Sequence, residues 1–201
     1  MFMKNIVIVG NGNIKNNYGI IIDKFNCICR INNFVLDGYY NKVGHKTNII
    51  SIRYDHIFKN FNIFKFFDIV DKIIIFIVNE TKINNDISFN KIKEKYYYKL
   101  FLIHENKINN LIKELNPNIN FNINGKVYSL STGIMTILYF MFLNNEFDNI
   151  YICGFDFGKS GHYYNEQHNH SKIHLWDIER NIINKFINNK KLFLLNNFIN
   201  L

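Results

Sequence analysis

The sequence predicts a single α/β domain built on a mostly parallel sheet flanked by helices. Three observations predict it. Apolar runs of strand length, rich in β-branched residues, recur along the chain. Most are continuous and not alternating, which suits strands covered on both faces. Segments with apolar residues at helical spacing lie between them. A chain of 201 residues, 48% hydrophobic and 20% charged, is long enough for one well-buried core, and no repeat, linker or proline-rich break divides residues 1–201.

In chain order, strands are expected at 5–9, 27–31, 48–52, 72–78, 99–103, 149–153 and 192–195. The aromatic-dense stretch 55–67 reads as a packed, irregular connection. A helix over 105–115 places Ile108, Leu111, Ile112 and Leu115 on one face, with Pro117 as its stop signal. The apolar segment 133–143 is about half of the roughly 20 residues a membrane-crossing helix needs, so it reads as a core helix. A last helix over 177–187 carries Ile178, Ile182, Ile183, Phe186 and Ile187 as its apolar stripe, with Asp177 as its N-cap.

The formal charge of +8 permits anionic partners: nucleic acid, acidic lipid headgroups or nucleotide-sugars. Charge alone does not choose among them. Cys27, Cys29 and Cys153 fall in or beside apolar runs without disulfide-framework or C-x-x-C spacing, which suits free thiols in a reducing compartment. The opening apolar run passes directly into Gly10-Asn11-Gly12 and does not read as a signal peptide. A cytoplasmic protein is expected, with peripheral contact to an anionic membrane permitted by its basic surface.

Ligands of open α/β sheets sit beyond the carboxyl ends of the strands. Here the run 5–9 ends in Gly10-Asn11-Gly12-Asn13 and the run 149–153 in Gly154-Phe155-Asp156, where glycine lets backbone approach a ligand closely. A nicotinamide cofactor is disfavoured, because the third glycine of G-x-G-x-x-G would fall at Lys15. Ser131-Thr132-Gly133 opens the 133–143 helix, either as an ordinary cap or as an anion site. His168, His170 and His174 form a cluster that could be a solvated loop, a zinc site lacking a complete signature, or the source of a general base. The chain has no Asp-x-Asp pair to hold a divalent ion on a nucleotide-sugar, so neither a metal nor any other cofactor is expected.

In order and spacing these features resemble the animal-type sialyltransferase family. The large motif resembles Val9-Gly10-Asn11-Gly12-Asn13, Tyr18-Gly19, Ile22-Asp23, Arg30-Ile31-Asn32, Gly38-Tyr39 and Val43-Gly44-His45-Lys46-Thr47. The small motif resembles Ser131-Thr132-Gly133 through Ile150-Tyr151-Ile152-Cys153-Gly154-Phe155, and the third resembles His162-Tyr163-Tyr164. The very small motif resembles His174 and Glu179.

The resemblance implies a Rossmann-like domain of the GT-A-variant type that transfers sialic acid from CMP-sialic acid to a glycan or glycolipid hydroxyl, with inversion and without a metal. It implies that Asn11 and Asn32 bind the nucleotide, and that Ser131, Thr132 and Gly133 hold the phosphate or the sugar carboxylate beside the Gly154 turn. His174 becomes the general base, with Glu179 as its structural neighbour and His170 as the alternative base suggested by bacterial relatives. His162, helped by Tyr163 or Tyr164, stabilises the departing phosphate.

Animal members join the large and small motifs by a disulfide, and this chain has no cysteine near Asn5 or Phe147 to form one. It also lacks their membrane anchor and much of their acceptor-binding surface, which suggests a compact microbial or viral form. The competing readings are transfer of another CMP-activated acidic sugar, and a basic nucleic-acid-binding domain. The latter leaves the ordered motifs unexplained, so no nucleic-acid partner is expected.

Overall fold

In the computed structural model, which describes residues 3–59, 63–165, 167 and 174–198, strands and helices alternate along the chain. The strands are β1 (Asn5–Val9), β2 (Cys27–Ile31), β3 (Ile49–Arg53), β4 (Lys72–Ile77), β5 (Leu100–His104), β6 (Asn122–Ile123), β7 (Lys126–Val127), β8 (Asn149–Cys153) and β9 (Phe193–Leu194). Helices α1 (Gly19–Ile22) and α2 (Tyr40–Val43) follow β1 and β2. Helices α3 (Tyr54–Ile57) and α4 (Phe64–Phe67) follow β3, and α5 (Glu80–Asn84) and α6 (Ile87–Tyr96) follow β4. Helix α7 (Glu105–Leu115) follows β5, and α8 (Thr132–Leu138) runs into a π-helical turn (Tyr139–Leu143) before β8. Helices α9 (Trp176–Asn188) and α10 (Leu195–Phe198) flank β9.

Seven strands pair in the order β5-β4-β3-β2-β1-β8-β9, every neighbour parallel, while β6 and β7 form a small antiparallel hairpin. The continuous apolar runs have the expected cause. On β1, Val7 and Val9 belong to the buried cluster on one face that also holds Ile22 and Phe89, while Ile6 and Ile8 belong to the cluster on the other that holds Ile137 and Ile183. Both faces are buried, so no polar alternation survives. The chain winds outward from β1 to β5, then returns to the opposite side of β1 with β8. This puts the switch point of the sheet between β1 and β8, where a crevice forms beyond the strand ends.

Four expectations are corrected. The runs at 48–52 and 99–103 form strands one residue later, because Asn48 closes the loops before β2 and β4: its Oδ1 accepts from Ile28 N and its carbonyl from Asp71 N. Lys99 likewise spends its ammonium on the carbonyls of Asp68 and Val70. The expected strand 192–195 shrinks to the edge pair that meets Tyr151 and Ile152. Asp177 is not an N-cap: α9 starts at Trp176 after Leu175, and Asp177 sits in its first turn, where it meets Arg180 at 3.0 Å. Among the described residues of 55–67, the short helices α3 and α4 replace irregular chain, with rings packed through pairs such as Phe58 with Phe64.

Cys27, Cys29 and Cys153 are buried free thiols, and burial pushes Cys27 and Cys153 up to about 12, which leaves them unreactive near neutrality. Among the described residues, no helix is long and apolar enough to cross a membrane.

Candidate active site

At the switch point the ends of β1 and β8 touch backbone to backbone. Gly154 has φ +70, and a Cβ there would lie 2.5 Å from the carbonyl oxygen of Gly10. Any side chain at 154 would therefore both strain the turn and push the strand ends apart. Gly12 N donates to Gly154 O at 2.9 Å and closes the floor. Above it opens a cavity of about 530 Å³, lined by residues of 10–12, 131–133 and 154–157, together with Asn32, His162, Tyr164, His174 and Glu179.

One wall is the start of α8. Ser131 caps it, its Oγ accepting from Ile134 N at 3.3 Å, and is itself held by Glu179. The Glu179 carboxylate accepts from Ser131 N at 2.7 Å and from Ser131 Oγ at 2.6 Å. Burial pushes the Glu179 carboxyl up to about 7, although both Ser131 bonds pull it down. Gly133 leaves room for the Phe155 ring, since a Cβ there would come within 2.7 Å of it. Thr132 Oγ1 accepts from Asn32 Nδ2 at 3.2 Å, and Asn32 Oδ1 accepts from Arg53 N at 3.3 Å, so the Asn32 amide is engaged at both ends. Asn11 Nδ2 donates to Ile31 O at 3.0 Å, while its Oδ1 is buried with no protein partner among the described residues. That oxygen is a buried acceptor left unsatisfied beside the cavity.

The 162–164 segment lies against the β1 turn. His162 bridges to Gly12, and Tyr163 N donates to Asn11 O at 2.9 Å. Tyr163 itself points inward: its hydroxyl donates to Val35 O at 2.6 Å and accepts from Val35 N at 3.1 Å, and its side chain is buried. Tyr164 anchors to Asn33 O at 2.7 Å and still borders the cavity. The structure thus brings His162 and Tyr164 to the cavity and uses Tyr163 as a staple to the loop after β2.

His174 also lines the cavity. Its Nδ1 is 3.0 Å from Ser129 O. A carbonyl only accepts, so Nδ1 carries the proton and the lone pair of the neutral ring is on Nε2. The ring meets Trp176 edge-on, with centroids 4.9 Å apart. His170 lies outside the described residues. Among the described residues, no group of His, Cys, Asp and Glu side chains is arranged to hold a metal ion.

Sequence reasoning missed Arg53, Asp55, His56 and Lys59, which also line the cavity. Burial lowers the affinity of His56 for a proton, which favours its neutral ring. An arginine closing an apolar strand run was the available signal, and it was obscured by ending that run at residue 52.

The chain matches the model of glycosyltransferase family 29 (sialyltransferase) over residues 3–191. It is similar to a crystal structure of a mammalian sialyltransferase in complex with Gal-beta-1-3GalNAc-ortho-nitrophenol: TM-score 0.65, 19% identity, 96% of this chain and 69% of that one covered. A further mammalian sialyltransferase structure gives a TM-score of 0.67 at 19% identity, with 96% and 68% covered. At that identity the likeness establishes a shared Rossmann-like fold. No curated protein matches the chain.

Proposed function

We propose, from the premise that this chain belongs to glycosyltransferase family 29, the sialyltransferases, that it transfers sialic acid from CMP-sialic acid to a glycan hydroxyl with inversion, using His174 as general base and no metal. One observation carries the reading: the bond from His174 Nδ1 to Ser129 O turns the basic Nε2 of a cavity-lining imidazole into the role of proton acceptor.

In this reading the nucleotide lies over the β1 turn, where Asn11 Oδ1 accepts from a hydroxyl or amine of the donor. Ser131, Thr132 and Gly133 hold the phosphate or carboxylate at the start of α8. His174 Nε2 takes the acceptor hydroxyl proton as that oxygen bonds to the anomeric carbon. The bond from that carbon to the phosphate oxygen breaks, and CMP leaves with the electron pair. His162, beside the β1 turn, donates to the phosphate as charge builds there. Asn32 acts by aligning Thr132, and Tyr163 by fixing the segment that carries His162.

The test is incubation of purified protein with CMP-sialic acid and a galactose-terminated acceptor, with CMP release and glycan mass gain as readouts. Mass gain of one sialic acid supports the reading. CMP release only from a different CMP-activated acidic sugar would replace the donor, and no release from any would refute the activity.

A further inference from the structure

Ser129 follows the β6 and β7 hairpin, whose residues 122–127 are exposed, and it precedes buried Leu130. The Ser129 side chain is held from β3. Arg53, the last residue of β3, donates from Nη1 to Ser129 Oγ at 3.2 Å. The guanidinium is held from behind: Nη2 lies 3.1 Å from Glu105 Oε1, at the first residue of α7, and Nε lies 3.5 Å from Asp55 Oδ1. The side chains of Arg53 and Glu105 are only 13% and 7% exposed, so the pair is shielded from water. Desolvating two charges in this way adds little stability over a pair of packed apolar residues, so stability does not account for it.

We propose that Arg53 and Glu105 are positioning residues of the transfer reaction: anchored at the ends of β3 and β5, they fix Ser129, and through its carbonyl they set the direction of the His174 ring. The inference rests on His174 being the base. It assigns work to two residues on which none of the recognised motifs draws. Ser129 joins them to the base because its hydroxyl faces Arg53 while its carbonyl faces His174. A ring displaced by about 1 Å loses on the order of 10²-fold in rate without loss of ligand contacts.

The experiment is steady-state kinetics with CMP-sialic acid and a galactose-terminated acceptor, alongside calorimetric CMP binding, for Arg53→Gln, Ser129→Ala, their double variant, Ser129→Thr and His174→Ala. Arg53→Gln and Ser129→Ala should each lower kcat by roughly 10- to 100-fold, while the CMP Kd and acceptor KM stay within about threefold. The double variant should be no worse than the poorer single variant, because both break one relay. Ser129→Thr, which keeps the hydroxyl, should restore turnover to within about threefold of the wild type. Single variants that turn over normally, losses that multiply in the double variant, or a CMP Kd that weakens as much as kcat would each overturn the inference. If Arg53→Gln fails to fold by circular dichroism, the contrast of Ser129→Ala with Ser129→Thr decides alone. Activity in His174→Ala would overturn the base reading, and the relay with it. An inactive His174→Ala beside normal Arg53→Gln and Ser129→Ala would remove the relay only.

Discussion

Glu179 grips Ser131 at both the amide and the hydroxyl, at 2.7 and 2.6 Å, and so ties α9 to the start of α8. The two residues belong to different motifs of the sequence. Their contact makes the fold of α9 a condition for the geometry of the Ser131 turn that lines the cavity. The carboxylate is 1% exposed, and its high proton affinity follows from that burial.

Stability should therefore decline across the acidic-to-neutral range in a way that depends on Glu179. The folded value of about 7 lies above the ordinary 4.5, so the folded chain keeps a proton that the unfolded chain releases between them. The contribution is complete below about pH 4.5 and lost as pH rises through about 7, on the order of 3 kcal/mol at about 1.4 kcal/mol per pH unit. Glu179→Gln cannot release that proton. Its unfolding free energy, from urea titrations at pH 5 and 8, should change by about 2 to 3 kcal/mol less than that of the wild type. Two profiles that run parallel would show that another group is responsible.

His174→Ala should reduce kcat by about 10² to 10⁴ and leave CMP affinity within about threefold, since in the proposed reaction the imidazole serves the acceptor hydroxyl and not the nucleotide. His170→Ala should cost far less. The reverse order would make His170 the base.

How legible this arrangement was depends on whether a feature is local. Strands 5–9, 27–31 and 149–153 could be read because both faces of each are buried and the runs are apolar save for Arg30 and the opening asparagines. At β9 the edge of the sheet leaves only two paired residues, and no run of letters distinguishes pairing from burial of Leu192 and Leu195. The Asp177 cap was misread because α9 begins one residue earlier than the first good capping residue. His162-Tyr163-Tyr164 was legible as a unit, but which ring turns inward depends on the loop at Val35, over a hundred residues away. Arg53 could be seen closing an apolar run, but its partners could not: Glu105 and Ser129 reach it through the parallel order of β3, β4 and β5 and the return of the chain.

Gly154→Ala should destabilise the protein by at least about 2 kcal/mol, because the left-handed backbone at φ +70 already costs a side chain about 1 to 2 kcal/mol. The clash with Gly10 O at 2.5 Å adds to it and has rigid backbone on both sides. Gly125→Ala, also in the left-handed region but with open space around it, separates the two causes. Thermal unfolding should show a clearly larger drop at 154 than at 125, and equal drops would mean that the contact between the strand ends carries no weight.

Activity should persist when divalent ions are removed. A departing CMP phosphate accumulates negative charge, and many enzymes neutralise it with an ion held by paired carboxylates, for which this chain has no Asp-x-Asp. In the proposed reaction the task falls instead to the start of α8 and to His162, which sits against the β1 turn. Turnover in excess chelator should stay within about twofold of the untreated rate, and added magnesium or manganese should not raise it by more than about twofold. His162→Ala should lower kcat by about 10² to 10³, the loss expected for one missing donor, and magnesium should not restore it. Complete loss in chelator that metal reverses would assign the neutralisation to an ion, whereas rescue of His162→Ala by magnesium would mean that the imidazole and a cation are interchangeable at the phosphate.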